Sequence, residues 1–365
     1  MALNRRTVIR GTLGLGAGCL LQPARASSLS YDQAVRETWA PLWAPLQASS
    51  RQRELVRAAT LAANSHNTQP WLFTTTASAI TIAPDVSRRC PAVDPDDHHL
   101  YASLGCAAEN LVHAAAAVGL AATPAFADDS VTIGLEPGPS VRSALFDAIT
   151  VRQSTRALFD GRPVSAEAMR LLDSAGREGG VELILLTDKA RIAEVADYVV
   201  QGNTAQMRDT AFMEELKSWL RFSETDAVTT RDGLFARSSG NPAMPSWFAR
   251  LVLPLVFTEG GENKKYRDHI ESSAGIAVFV SDRNDRAHWV AAGRACQRFA
   301  LQVTALGLKS AFVNQPVEVA ALRRQFASYL GLGERRPDLV LRFGAGPDLP
   351  KSLRRPPEQV MRNPQ

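Results

Sequence analysis

The sequence predicts an α+β fold made of two related halves, on three observations. One helical run occurs twice: Gly105 to Leu120 matches Gly293 to Leu308 without gaps, and each run opens on Gly and closes on Gly-Leu. Both runs carry small or apolar residues all round, which suits helices buried in a core or against a partner. Each ends at a glycine stop and leads into extended structure, Ala121-Ala122-Thr123 in one case and Lys309-Ser310-Ala311-Phe312-Val313 in the other.

The chain opens with a segment of a different kind. Asn4-Arg5-Arg6-Thr7-Val8-Ile9-Arg10 is basic, residues 11–21 are apolar and glycine-rich, and Ala24-Arg25-Ala26 offers a small-x-small cleavage site before Ser27. Residues 1–26 therefore read as a twin-arginine signal peptide, with the twin-arginine translocase as partner and the periplasm as destination. Its apolar stretch is about half the length that crosses a bilayer, so no permanent membrane span is expected. Lipid attachment at Cys19 is not expected either, because the usual leucine three positions earlier is replaced by Gly16.

The whole chain of 365 residues has 41 basic and 37 acidic side chains and a net charge of +4. The leader holds four arginines (Arg5, Arg6, Arg10, Arg25) and no acid, so the remainder is balanced and gives no general electrostatic reason to bind nucleic acid. Hydrophobic content of 45% with 21% charged residues describes a globular protein able to bury a large core. Cys106 and Cys296 lie in alanine-rich helical patterns, where a thiol acts as a small hydrophobe; one disulfide is possible, but nothing specifies it. Asp94, Asp96, Asp97, His98 and His99 read as a solvated loop and not a metal centre, since no second ligand cluster has recognisable spacing.

Helical periodicity spans Ser50 to Ala63 and Ser165 to Gly176. Strand-like runs follow in both halves: Trp71 to Thr76 with Ala79 to Ala83 in the first, Val181 to Thr187 in the second, then Gly275 to Val280 and Leu339 to Gly344. Between about Asn203 and Asn263 the pattern changes: Met213 to Trp219 is amphipathic, while Arg237 to Trp247 is rich in Ser, Gly, Pro and Asn. A long irregular insertion of this sort is commonly a lid or a partner contact.

Between the first helix and the first strand, Asn64-Ser65-His66-Asn67-Thr68-Gln69-Pro70-Trp71 sets small polar side chains on a loop, where binding groups often sit. On composition alone the plainer reading is a helix cap and turn, with Ser65 and Asn67 serving only their own backbone. Ser65-His66-Asn67-Thr68-Gln69-Pro70-Trp71 resembles the signature loop of the nitroreductase family of flavoproteins, whose Ser and Asn lie against the ring of bound FMN. Arg152-Gln153-Ser154-Thr155-Arg156 is similar to that family's other signature, which holds the FMN phosphate.

The resemblance covers most of residues 50–360 and implies a nitroreductase-like fold. In that family FMN lies between two subunits, one giving the phosphate signature and the other the polar loop. Here the first half keeps the loop and lacks Arg-x-Ser-x-Arg, while the second keeps Arg152, Ser154 and Arg156 and reads Arg177-Glu178-Gly179-Gly180 where its loop should fall. The reciprocal losses imply an intramolecular pseudo-dimer, similar to the Acg-like branch, with halves at 27–150 and 151–365, a lid-like insertion at about 203–263, and one surviving site. The implied cofactor-binding residues are Arg152, Ser154 and Arg156 for the phosphate, with Lys351, Arg354 and Arg355 beside them, and Ser65, Asn67 and Gln69 at the ring. Flavin performs the electron chemistry, so no protein acid, base or nucleophile is named.

The expected function is an exported FMN-dependent oxidoreductase passing electrons to a small-molecule acceptor such as a nitroaromatic or a quinone, from a quinol or redox-protein donor where nicotinamides are scarce. The rival from another class is a flavin-sequestering protein whose lid prevents turnover.

Overall fold

Two antiparallel sheets with the same strand order flank a central pair of helices in the computed structural model, which describes residues 29–43 and 51–362. The leader and Cys19 lie outside the described residues. In chain order the first half holds α1 (Tyr31–Thr38), α2 (Arg51–Thr60), β1 (Trp71–Thr75), β2 (Ala79–Pro84), α3 (His98–Ala116), β3 (Leu120–Ala127), β4 (Ser130–Pro137) and α4 (Ala144–Ala148). The second begins with α5 (Ala166–Ala175), β5 (Val181–Leu186), α6 (Lys189–Arg208), α7 (Thr210–Trp219), β6 (Leu220–Arg221), α8 (Glu224–Thr230), β7 (Leu234–Phe235), α9 (Ser246–Val256) and α10 (Glu259–Glu271). It continues through β8 (Gly275–Ser281), α11 (Arg286–Ala305), β9 (Lys309–Phe312), α12 (Gln315–Glu318), α13 (Ala320–Tyr329), β10 (Pro337–Gly344), α14 (Pro357–Val360) and β11 (Met361–Arg362).

The sheets run β1-β2-β4-β3 and β5-β8-β10-β9, the same path through equivalent strands. The turn between β1 and β2 takes residues 76–78, whereas the equivalent connection between β5 and β8 takes 187–274 and contains the whole insertion. Its first helix, α6, continues to Arg208, past the sequence boundary at 203. β11 joins the first sheet by parallel pairing of Phe73 with Met361 and Thr74 with Arg362, so the end of the chain completes the sheet of the first half. In that sheet β3 alternates half-buried and exposed residues, one face to the core and one to solvent. β8 and β10 are buried along their whole length, since α5 and α11 cover one face of their sheet and α6, α10 and α13 the other.

The repeated run forms α3 and α11, which cross at its two glycines. A Cβ on Gly105 would lie 2.0 Å from the Val290 carbonyl oxygen, and one on Gly293 would lie 1.9 Å from that of Ala102, the equivalent contact with the halves exchanged. Only a residue without a Cβ allows this approach, which explains why the sequence match begins there. The Cys106 thiol donates to the Gly293 carbonyl at 3.2 Å, and Cys90, Cys106 and Cys296 are all free thiols.

One sequence expectation is overturned. His98 and His99 are not in a solvated loop: both are buried in the first turn of α3, and Asp94 is buried with them. The Asp94 carboxylate accepts the His99 and Leu100 amides at 3.0 and 2.9 Å, closing the N-terminal donors of the helix. His98 Nε2 lies 2.8 Å from the Asp338 carboxylate on β10. Asp338 is a partner distant in sequence, so the burial of His98 is not readable from local pattern, while Asp96 stays exposed.

Candidate cofactor-binding site

The loop after α2 is held in a strained form. His66, Asn67 and Gln69 have φ of 46°, 54° and 55°, and side chains in that region cost about 1–3 kcal/mol each unless the surroundings hold them there. The surroundings do so from both sides. Asn64 Oδ1 accepts the Gln69 amide at 2.8 Å, and the Asn67 side-chain amide donates to the carbonyls of Gly233 and Leu353, both at 3.1 Å. The Gly233 amide donates back to the Asn67 carbonyl at 3.1 Å, which ties the insertion to the loop. Asn67 thus serves distant segments, not only its own turn. Two carbonyl partners fix its Nδ2, so Oδ1 is left as the free acceptor, buried with no partner.

Beside this loop lies a cavity of about 620 Å³, lined by Asn64 and Asn67 from the first half, by Arg152, Gln153, Ser154 and Arg156, by Lys351, Ser352 and Arg354, and by Gly233 to Phe235 of the insertion. Four cations and no carboxylate line it among the described residues. The free carbonyls at the end of α2 allow this concentration of charge: Arg152 donates to Leu61 at 3.1 Å, and Arg354 to Thr60 and Ala62 at 3.0 and 3.3 Å. Lys351 Nζ donates to the carbonyls of Thr150 and Val151 at 3.0 and 2.6 Å.

These contacts do not neutralise the cluster. Burial, then Arg152, Arg354 and Lys309, push the Lys351 ammonium down to about 7. Burial and then Arg152 bring Arg354 down to about 9, and burial lowers Arg152 and Arg156. Arg152 Nε and the Ser154 hydroxyl are buried without partners. A buried array of mutually repelling donors with orphaned N–H and O–H groups is what a phosphate dianion satisfies. FMN therefore fits the residues present, phosphate on Arg152, Ser154, Arg156, Lys351 and Arg354, with the Asn67 oxygen free for a donor on its ring.

The structure brings most of the expected residues together and turns two elsewhere. Ser65 lines a second, larger space of about 1010 Å³ that shares Ala63, Asn64, Arg156, Leu234 and Phe312 with the first. Gln69 and Arg355 line neither cavity: Gln69 Nε2 donates to the Arg231 carbonyl at 2.9 Å, and Gln69 Oε1 accepts the Arg355 amide at 2.7 Å. Both act as braces behind the loop. Sequence reasoning missed Gln153, Trp39 and the 233–239 segment. It also missed His66, although that residue lies inside the quoted loop, and His99 and Glu318 in the larger space. Burial holds the His66 and His99 imidazoles below their ordinary value and lifts the Glu318 carboxyl, so these groups tend to neutrality.

At the place equivalent to the loop in the second half, the turn after α5 is filled by protein charge. Glu178 pairs with Arg294 and Arg298 at 2.8 and 2.6 Å, and both arginines also pair with Glu109 of α3, at 3.1 and 2.6 Å. Gln297, at the position of α11 equivalent to Glu109, instead accepts the Ala63 amide at 3.2 Å beside the open site.

The fold and the cavity define an α+β chain with a cation-lined cavity to which residues before 150, residues after 150 and the insertion all contribute. No family model matches the chain. It is similar to putative NAD(P)H nitroreductases from two strains of Mycobacterium tuberculosis, 27% identical over 331 residues that cover 86% of this chain and 91% of each relative. This similarity extends over most of both sequences. Among solved structures, the FMN-dependent nitroreductase NfnB of Mycobacterium smegmatis, in complex with NADPH, aligns with 56% of this chain and 87% of its own at 16% identity and a TM-score of 0.37. A nitroreductase with bound FMN from Desulfitobacterium hafniense aligns with 60% of this chain and 97% of its own at 14% identity, also at 0.37.

Proposed function

We propose that this chain is an FMN-dependent oxidoreductase of the nitroreductase type, which passes electrons to an electron-poor small molecule such as a nitroaromatic or a quinone. The observation that carries the reading is the acid-free cavity in which Arg152, Arg156, Lys351 and Arg354 converge with the orphaned Ser154 hydroxyl. The long alignment with putative NAD(P)H nitroreductases supports it. FMN, when bound, supplies the electron transfer itself.

The chain's own residues bind and orient. The four cations and Ser154 hold the phosphate, and the Asn67 amide oxygen accepts a hydrogen bond from the ring. The insertion closes over the loop through Gly233 and shields the site from water. The larger space, half apolar through Phe212, Leu216 and Phe257 and half polar through Asn203, Gln206 and Gln315, takes the acceptor. Export by the twin-arginine route rests on residues 1–26, and after export a quinol or a redox protein serves as donor where NAD(P)H is scarce.

Rapid mixing of the purified yellow protein tests the reading. Bound flavin should be bleached by NADPH or by a water-soluble quinol and recover its colour on mixing with a nitroaromatic or quinone. Flavin that no donor reduces would leave a sequestering protein and overturn the enzymatic function.

A further inference from the structure

Of the four cations that line the smaller cavity, three are tied to backbone carbonyls by their own side chains: Arg152 to Leu61, Arg354 to Thr60 and Ala62, and Lys351 to Thr150 and Val151. The Arg156 side chain lines both cavities and makes no hydrogen bond or ion pair to any described residue. Its place therefore depends on its backbone, and that backbone is gripped from behind.

The grip comes from Arg342, fully buried on β10 between β8 and β9. Its Nη2 donates to the carbonyls on either side of Arg156, Thr155 at 3.0 Å and Ala157 at 2.7 Å. Its Nη1 donates to the His269 carbonyl at 2.8 Å, and its guanidinium carbon lies 3.9 Å from the centre of the Phe159 ring. The Thr155 amide donates to the Ser310 carbonyl of β9 at 2.8 Å, so the segment is held from two neighbouring strands. No carboxylate pairs with Arg342 among the described residues, and a buried cation without a counter-ion is unfavourable. Burial and then Arg156 push it down to about 9, which leaves it charged near neutral pH. Repulsion between the two cations disfavours any rotamer that would carry the Arg156 guanidinium back toward β10.

We propose that Arg342 is a positioning residue of the phosphate site: by clamping the carbonyls of Thr155 and Ala157, it holds Arg156 in place for the phosphate of FMN. The inference rests on the FMN reading given above. A planar fork is needed for it, because the contacts to Thr155, Ala157 and His269 leave one guanidinium in fixed directions.

Flavin binding to the flavin-free chain, read by fluorescence quenching, tests it with FMN and riboflavin, which differ only in the phosphate. The unaltered chain should bind FMN much more tightly than riboflavin. Arg342→Lys keeps the charge and loses the fork, so it should weaken FMN by about tenfold or more and leave riboflavin affinity unchanged. In an Arg156→Ala background the same substitution should weaken FMN little further, because the two residues act through one contact. Arg342→Gln serves in the same comparison where circular dichroism shows the lysine variant unfolded. Equal losses for FMN and riboflavin would give Arg342 a merely structural role and overturn the inference. So would a variant that keeps the whole preference for FMN, or an effect undiminished in the Arg156→Ala background. An unaltered chain with no preference for FMN would overturn the phosphate assignment on which the inference rests, and the inference with it.

Discussion

Arg152 and Arg156 carry the strongest residue-level consequence of the account. Replacing both with Ala removes two of the four cations assigned to a dianion, each charge-assisted contact being worth about 1.5–3 kcal/mol. The double variant should purify nearly colourless; a fully loaded variant, read by absorbance, would remove the phosphate assignment. Lys351 adds a pH signature. In the free protein its ammonium is pushed down to about 7 from an ordinary 10.5, so the unfolded chain holds the proton more tightly than the folded one. Stability of the empty protein therefore rises as pH climbs from about 7 to about 10.5. A bound dianion restores the ammonium, so FMN binding above pH 7 should take up a proton and weaken as pH rises through that window. Calorimetry in buffers of different ionisation enthalpy measures the uptake, and Lys351→Met should abolish it below the value of about 9 at which Arg354 also contributes.

At the same scale, of the residues expected at one FMN site, Asn67, Arg152, Ser154, Arg156, Lys351 and Arg354 line the first cavity, Ser65 lines the larger one, and Gln69 and Arg355 turn inward. Which way each side chain leaves the loop depends on the positive φ at residues 66, 67 and 69, and non-glycine residues in that region leave no trace in a sequence. The burial of His98 beside Asp338 and of His99 beside Glu318 depends on residues far along the chain, which local pattern does not show.

Among the elements, the α3–α11 crossing is the joint that makes two halves into one site. Gly105→Ala and Gly293→Ala each drive a methyl into a backbone carbonyl of the facing helix, which no rotamer change relieves. Each should cost about 1–3 kcal/mol or more in urea unfolding, and by similar amounts because the contacts are equivalent. A neutral Ala at either position would contradict the close approach. The elements that were legible are those with local signals: the repeated helices, the paired glycine stops and the apolar strands. β11 was not, since a two-residue strand gains its meaning only from the distant Phe73 and Thr74 it pairs with. The insertion was visible as a break in pattern, but its attachment through Gly233 to Asn67 was not.

For the whole molecule, the proposal of one site per chain rests on a difference between two equivalent places in the fold. The polar loop after α2 closes an open cavity, while the equivalent turn after α5 is occupied by Glu178 with Arg294, Arg298 and Glu109. The buried Glu109 carboxyl, which burial alone would raise, is held at about 2 by His113, Arg298 and Arg294. Under the proposed function, that network fills the place of a second site with protein charge. The central claim is that the two halves share one composite flavin site. Absorbance of the denatured, desalted protein against its chain concentration measures this most directly: the account predicts about one FMN per chain, and about two per chain, or none after refolding with excess FMN, would contradict it.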